Sequence, residues 1–373
     1  MKDIGQLFDG PHATPPLANE GAIFLGIKNI SEDGHLNFSE IRYVSEQDFP
    51  LWIRRVTPQK GDIVFTYEAT LHRYAIIPEG FRGCLGRRVA LLRPKPDSVD
   101  THYLFYYFRS HMWKAKVEAN ILVGATVDRV PIARFPDFTL NLPPLATQQR
   151  IADILSTYDR LIDNNNRRIA LLEESIHQLY KEWFVRSRFP GYESVKVVDG
   201  IPEGWNRIDF SEALILQRGF DLPNKDRKPG DIPVYASTGI NGYHDTSKVK
   251  APGVVTGRSG SLGSVMYVQK DFWPLNTTLW VKEFKKVTPP FAYCLLSQMD
   301  LNSYQAGAAV PTLNRNVIHG VKILVPCEQL QSKFDNFANS IIIQIEVLKK
   351  YNYNLRQARD LLLPRLMNGS IAV

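Results

Sequence analysis

The chain has 373 residues with 44% apolar and 22% charged side chains, a composition that folds and that excludes a disordered tail, and its length allows two or more separately cored domains. Forty-five lysines and arginines against 38 aspartates and glutamates leave a formal charge of +7, which points to a polyanion such as nucleic acid. Cys84, Cys294 and Cys327 are odd in number and far apart, excluding a disulfide framework and a zinc ribbon. With no signal-peptide core at Met1–Gly5 and no apolar run of about 18 residues, they predict a cytoplasmic protein that spans no membrane.

Residues 1–143 read as a first mixed α/β globule. Short apolar runs such as Ala22–Leu25 and Asp62–Thr66 alternate with Gly, Pro and Asn breaks, the punctuation of strands. A helix is predicted near Tyr103–Phe108, then more strand up to Leu140–Leu142. Pro143-Pro144 ends that segment, and Ala146 or Thr147 opens a long helix. Its seam, Ile151, Leu155, Tyr158, Ile162, Asn165, Ile169, Leu172, Ile176, Leu179 and Trp183, steps by four and three, the coiled-coil repeat. Arg188–Tyr192 is a connector, and Ile201-Pro202-Glu203-Gly204-Trp205 opens a second globule that runs to about Pro326. A second seam follows: Phe334, Ala338, Ile341, Ile345, Leu348, Asn352, Leu355, Arg359, Leu362 and Leu366, stopping at Asn368-Gly369.

The two halves overlay. Ile63–Ile76 matches Val254–Tyr267 without a gap, and Gly124-Ala125-Thr126-Val127 pairs with Gly307-Ala308-Ala309-Val310. From there the offset stays at 183, through Pro143/Pro326 and Ile151/Phe334. Chain continuity favours antiparallel packing of the two rods, each of about 33 residues and roughly 50 Å. Pairing Ile151 with Leu366 then sets Asn165 opposite Asn352, where the two amides satisfy each other and fix register; the alternative is that each lies at a solvated edge. Pro364 predicts a kink or early end of the last turn, and Arg359 is expected to snorkel outward beside Tyr158.

Catalytic motifs are absent: there is no phosphate-loop pattern and no His-Glu-x-x-His. Asn141-Leu142-Pro143-Pro144 has the wrong order for an amino-methyltransferase motif. Gly257–Gly263 precedes a strand rather than a helix, so it reads as a hairpin turn. His102 and His111 have no visible partners for a metal, and none is expected. Groups suited to phosphates or base edges collect in the loops of both globules. In the first they are His12, Thr14, Lys28, Asn29, Thr66, Tyr67, Arg87, Arg88 and Arg129. In the second they are Arg218, Lys225, Arg227, Lys228, Thr238, Arg258, Ser259, Asn276, Thr277, Asn314 and Arg315. Tyr67 and Arg258 hold equivalent positions after the same strand, which suits two globules reading different sequences.

Three strings carry a family resemblance: Asp9-Gly10-Pro11-His12-Ala13-Thr14-Pro15, Ile201–Trp205, and Leu142-Pro143-Pro144-Leu145-Ala146-Thr147-Gln148-Gln149-Arg150-Ile151-Ala152. With a second rod at the C-terminus, the chain resembles over essentially its whole length the specificity (S) subunit of Type I restriction-modification systems. The resemblance implies an α+β fold: target-recognition domains at 1–143 and 189–326, helical spacers at 144–188 and 327–373, and a pseudo-two-fold repeat. It implies a non-catalytic subunit in which each globule reads one half of a bipartite asymmetric DNA site. The spacers would set the distance between halves and dock two methylation subunits, which bind S-adenosylmethionine; restriction subunits using ATP and Mg would join them. This chain would bind no cofactor itself. Two departures stand out. No Pro-Glu-Gly-Trp precedes the first globule, as it would if the true start lay upstream of Met1, and Val325–Gln331 matches the rod-entry string loosely. The competing expectation is a coiled-coil scaffold whose globules bind proteins or glycans.

Overall fold

The computed structural model describes residues 1–122, 126–306 and 312–373. It forms two compact units: unit 1 comprises Met1–Asn164 with Tyr351–Val373, and unit 2 comprises Asn165–Lys350. The pairing of Gly124–Val127 with Gly307–Val310 falls on residues outside the described ones, all but Thr126 and Val127.

Unit 1 begins with β1 (Gly5–Asp9), β2 (Ala22–Leu25), β3 (Tyr43–Val44), α1 (Phe49–Trp52), β4 (Ile63–Thr66), β5 (Tyr74–Ile76), β6 (Gly83–Leu85) and β7 (Val89–Pro94). These strands make a four-stranded sheet in the order β1-β7-β4-β5 and a three-stranded sheet in the order β3-β2-β6. All four residues of β4 are buried, so Ile63, Val64 and Phe65 run apolar without alternation, as a strand covered on both faces does. Next come α2 (Thr101–Phe108), started by the Asp100 carboxylate accepting from Tyr103 N–H at 2.8 Å, and α3 (His111–Glu118). From Tyr103 to Phe108 every side chain of α2 is buried. Each contributes roughly 1.5–3 kcal/mol of hydrophobic stabilisation, and the Trp113 indole that seals this core donates to the Tyr74 hydroxyl at 2.9 Å.

The strand expected at Leu140–Leu142 is not formed; Ile132–Asp137 is a 3₁₀ helix and the residues after it are irregular. The matching stretch of unit 2 is a strand because another strand pairs with it. In unit 1 the amino group of Met1 donates instead to the carbonyls of Pro136 and Phe138, at 3.0 and 2.7 Å. The long helix α4 (Leu145–Tyr180) starts a residue or two before the expected point, because the Pro144 carbonyl accepts from the amides of Thr147 and Gln148.

Unit 2 holds the rest of α4 and a π-helical turn at Lys181–Val185. The wider turn brings the successive residues Trp183 and Phe184 both into the core. The connector is anchored as well: Phe189 packs on Trp205, ring centroids 5.6 Å apart. The elements that follow are β8 (Val197–Val198), β9 (Ile201–Pro202), β10 (Asn206–Asp209), α5 (Phe210–Ala213), β11 (Leu214–Arg218), β12 (Ile232–Ala236), β13 (Gly239–His244), β14 (Gly253–Gly257) and β15 (Val265–Val268). After these come β16 (Trp273–Pro274), β17 (Thr278–Phe284), α6 (Pro289–Gln298), β18 (Gln305–Ala306), β19 (Thr312–Leu313), α7 (Arg315–His319), β20 (Lys322–Val325) and α8 (Glu328–Met367). Here β20 pairs with β10. As expected, Gly257–Gly263 belongs to the turn between the antiparallel strands β14 and β15, with Gly260 and Gly263 at positive φ.

The main sheets repeat. Order β11-β17-β14-β15 copies β1-β7-β4-β5, and β13-β12-β16 copies β3-β2-β6, with β12–β16 and β2–β6 the parallel pairs. The repeat holds to the residue: Ile63 faces Ile76 as Val254 faces Tyr267, both shifted by 191.

The rods are antiparallel within each unit. In unit 1, Ile151, Ala152 and Leu155 of α4 pack with Leu366, Met367, Leu362 and Leu363 of α8. In unit 2, Trp183 and Tyr180 lie over Phe334, with centroids 6.1 and 6.0 Å apart. Two glutamines tie helix to globule. Gln148, 2% exposed, accepts from Asp100 N–H at 3.0 Å and donates to the Pro143 carbonyl at 2.8 Å. Gln331, the residue 183 further on, accepts from Thr288 N–H at 3.1 Å and donates to the Pro326 carbonyl at 3.2 Å. Each satisfies backbone groups at the start of a globule helix and at the mouth of a rod.

Two seam expectations are corrected. Pro364 does not end α8, which runs three residues further to Met367. Arg359 does not snorkel. It is 7% exposed and pairs with Asp159, the residue after Tyr158, and with Asp360 at 2.8 Å. Asn352 is 2% exposed and Asn165 half-buried, so Asn352 is not at a solvated edge.

Candidate nucleic-acid interface

In each unit, two connections cross at close range. In unit 1, Gly10 after β1 meets the Gly86–Arg88 turn before β7; a Cβ on Gly10 would lie 2.3 Å from the Gly86 carbonyl oxygen. In unit 2, Gly219 after β11 meets Leu275–Thr277 before β17, and its Cβ would lie 2.2 Å from the Leu275 carbonyl oxygen. Only glycine permits backbones to approach this closely. The segments after β4 and β14 join the same crossing: Tyr67 and Arg258 amides donate to Arg88 and Thr277 carbonyls, while Val130 and Leu313 amides donate to Tyr67 and Arg258 carbonyls. One backbone frame therefore occurs twice.

Its side chains differ position by position. Asp9, Tyr67, Glu68, Arg87, Arg88, Arg129 and Ile132 in unit 1 stand where unit 2 has Arg218, Arg258, Ser259, Asn276, Thr277, Thr312 and Arg315. In unit 1 the charges compensate. Arg55 pairs with Asp9 at 2.6 Å, Arg88 with Glu68 at 2.9 Å, and His12 approaches Asp9 at 3.4 Å. The Tyr67 hydroxyl is buried there without a hydrogen-bond partner, and burial, followed by Asp9 and Glu68, raises its pKa.

Beside the crossing, unit 1 has a cleft of about 560 Å³ over Phe24 and Gly26. Thr14, Lys28, Arg42, Arg87 and Arg88 surround it. Lys28 is tied to Glu40 at 3.0 Å, whereas Arg42 and Arg87 are exposed with no carboxylate partner among the described residues. Arg42 was not expected here; its only signal was its place just before β3. Asn29 and Thr66, by contrast, are not surface groups. Asn29, 5% exposed, clasps its own loop: its amide donates to the carbonyls of Asn37 and Glu40 and its oxygen accepts from Gly26 N–H. Thr66, 3% exposed, is a strand residue whose hydroxyl accepts from Arg73 N–H.

In unit 2 the frame holds a pocket of about 330 Å³ lined by Arg218, Arg258, Asn314 and Arg315, with no acidic residue among the described residues of its wall. Burial lowers the pKa of Arg258, and the like charges of Arg218 and Arg315 lower it further. The three guanidiniums line one pocket and repel one another across it. Arg258 is steadied by donation to the Asn276 carbonyl at 3.4 Å. Ser259 and Thr277 lie behind it: Ser259 N–H donates to the Thr277 carbonyl, and the Thr277 hydroxyl is buried without a partner.

Other expected contacts are occupied. Asn276 donates its amide to Asp221, Arg227 donates to the Asn241 carbonyl and side chain, and Asn314 caps α7 by accepting from Asn316 N–H at 3.0 Å. Lys225, Lys228 and Thr238 are exposed on loops beside β12 and do not line the arginine pocket. Among the described residues, no three His, Cys, Asp or Glu side chains are placed to hold a metal, and no helix is long and apolar enough to cross a membrane.

The family described as Type I restriction modification DNA specificity domain matches the chain twice, over residues 25–174 and 202–352. Two specificity subunits of Type I restriction enzymes are similar throughout. The MjaIX subunit of Methanocaldococcus jannaschii is 24% identical across 100% of this chain and 93% of its own. The EcoprrI subunit of Escherichia coli is 23% identical across 87% of this chain and 82% of its own. A crystal structure of the S subunit of a Type I restriction-modification system from M. genitalium superposes with a TM-score of 0.54 at 18% identity, covering 98% of this chain and 94% of that one. With its domain present in two copies, the chain belongs to the Type I restriction-modification DNA specificity family.

Proposed function

We propose that unit 1 and unit 2 each read one half of a bipartite, asymmetric DNA site, with this chain acting as the non-catalytic specificity subunit. The observation that carries this reading is the twice-built crossing: one backbone frame with Asp9, Tyr67 and Arg87 in one copy and Arg218, Arg258 and Asn276 in the other. A repeated frame suits the two-fold symmetry of a duplex backbone, and unlike side chains in and around the frame suit unlike half-sites. In unit 1 the contacts fall to Arg42 and Arg87, with Lys28, Thr14 and His12 around them. In unit 2 they fall to Arg218, Arg258 and Arg315, with Lys225 and Thr238 outside. The buried Asn29 and Thr66 support these loops and do not touch DNA.

The helices set the distance between half-sites and dock two methylation subunits; α4 alone has 36 residues, about 54 Å at 1.5 Å per residue. We infer that the seam asparagines Asn165 and Asn352 serve to fix the register. S-adenosylmethionine belongs to the methylation subunits, ATP and Mg to the restriction subunits. The test is duplex binding across a salt series with unrelated competitor duplex. Binding that weakens steeply with salt and survives the competitor is expected. A scaffold for proteins or glycans would show neither property. Removing one heptad from each rod is expected to change the spacer of the methylated motif and leave both halves unaltered.

A further inference from the structure

The trio of Arg218, Arg258 and Arg315 does something unit 1 does not do at the same place. Three guanidiniums converge on one concavity of about 330 Å³ whose wall carries no carboxylate among the described residues. Elsewhere in the same unit some exposed cations find acids: Lys250 meets Asp271 at 2.6 Å, and Lys322 meets Asp209 at 2.8 Å. Leaving three positive charges together without compensation costs stability, and what offsets that cost is a ligand of concentrated negative charge. A guanine edge needs one arginine and presents partial charges only, whereas a phosphodiester has a full charge and oxygens directed several ways. In unit 1 the corresponding residues are Asp9, Tyr67 and Ile132: one acid, one buried phenol and one aliphatic.

We propose that Arg218, Arg258 and Arg315 clamp the phosphate backbone of the DNA strand passing unit 2, and that unit 1 has no equivalent clamp. The inference rests on the reading of the chain as a DNA-binding protein. It makes the two units unequal: unit 2 supplies the larger share of sequence-independent, salt-sensitive grip. The trio therefore adds affinity without choosing bases, and base choice by unit 2 falls to the loop side chains around it, Lys225 and Thr238 among them.

The experiment is the salt dependence of duplex binding by the full chain, unaltered, as Arg218→Gln/Arg258→Gln/Arg315→Gln, and as the matching triple lysine variant. The glutamine variant is expected to lose about 0.9 to 2.7 from the slope of log K against log salt, one to three phosphates at about 0.9 each. The loss of affinity is expected to be equal on cognate and unrelated duplexes, and the lysine variant is expected to recover the slope. An unchanged slope overturns the clamp, as does a loss confined to the cognate duplex, which would make the trio a base reader. Absence of salt-dependent binding by the unaltered chain would instead overturn the DNA-binding reading beneath it. Unfolding curves of the glutamine variant matching those of the unaltered chain assign any change in slope to the contact rather than to misfolding.

Discussion

The strongest perturbation available is at Asp159 in unit 1. Its carboxylate takes the buried Arg359 guanidinium and accepts from the Tyr106 hydroxyl at 2.5 Å. Arg109 lies close by, its pKa lowered by burial and then by Arg359. Replacing Asp159 alone with Ile leaves the buried Arg359 within electrostatic range of the half-buried Arg109 and leaves a phenol without an acceptor, with only the exposed Asp360 still paired to Arg359. Breaking a buried pair in this way costs about 3–5 kcal/mol. Unit 2 shows the apolar solution: the residues 183 away are Ile342 for Asp159 and Ile176 for Arg359, both buried, with Cys294 at the helix position of Tyr106. Asp159→Ile with Arg359→Ile and Tyr106→Phe copies that arrangement. It is expected to recover the loss and to end near the unaltered stability or about 1–4 kcal/mol above it. Urea unfolding, with amide exchange across residues 151–159 and 355–366, reads both results. Additivity of the separate changes to within about 0.5 kcal/mol would refute the reasoning, because groups in one network do not add.

Three further outcomes follow from the same physics. Gln148→Ala and Gln331→Ala each orphan buried backbone groups, so each is expected to cost about 1–3 kcal/mol in equilibrium unfolding, whereas Gln149→Ala, on the exposed side, costs under about 0.5. Gly10→Ala and Gly219→Ala force a carbon against a carbonyl oxygen and are expected to lower stability by about 1–3 kcal/mol, read as a fall in Tm. His319 accepts from Leu216 N–H at 3.0 Å, and its pKa is lowered by burial, then by Arg315 and Lys285. A histidine depressed in the folded state contributes stability that is present above its ordinary pKa of 6.5 and lost as pH falls through the lower folded value. Unit 2 should therefore weaken on acidification below pH 6.5, and His319→Asn should flatten that dependence in stability measured against pH.

The scaffold was legible because periodicity and offset are additive signals. Ten seam positions and a constant shift of 183 establish the rods, and the ungapped match of Ile63–Ile76 to Val254–Tyr267 survives as strand register. Individual contacts were less legible. Asn29 looked like a base reader, but an asparagine in a turn satisfies its own backbone first. Arg359 looked amphipathic and exposed because its partner, Asp159, lies off the seam and 200 residues earlier. The strand expected at Leu140–Leu142 lacked the neighbour that β10 provides in unit 2. Gln148 and Gln331 carried a usable signal: the same residue at the same offset in two otherwise divergent strings. The contrast between the compensated crossing of unit 1 and the three arginines of unit 2 was legible only in part: Tyr67 against Arg258 showed in the overlay, but the meeting of the three arginines did not, because loops of different length bring them together.

Genome-wide mapping of methylated adenines, in a host with this gene and in the same host without it, tests the central claim most directly. The account predicts a gene-dependent motif of two unlike half-sites separated by a spacer of fixed length and free sequence. A methylation pattern that is the same in both hosts, or a gene-dependent motif that is contiguous or palindromic, would contradict it.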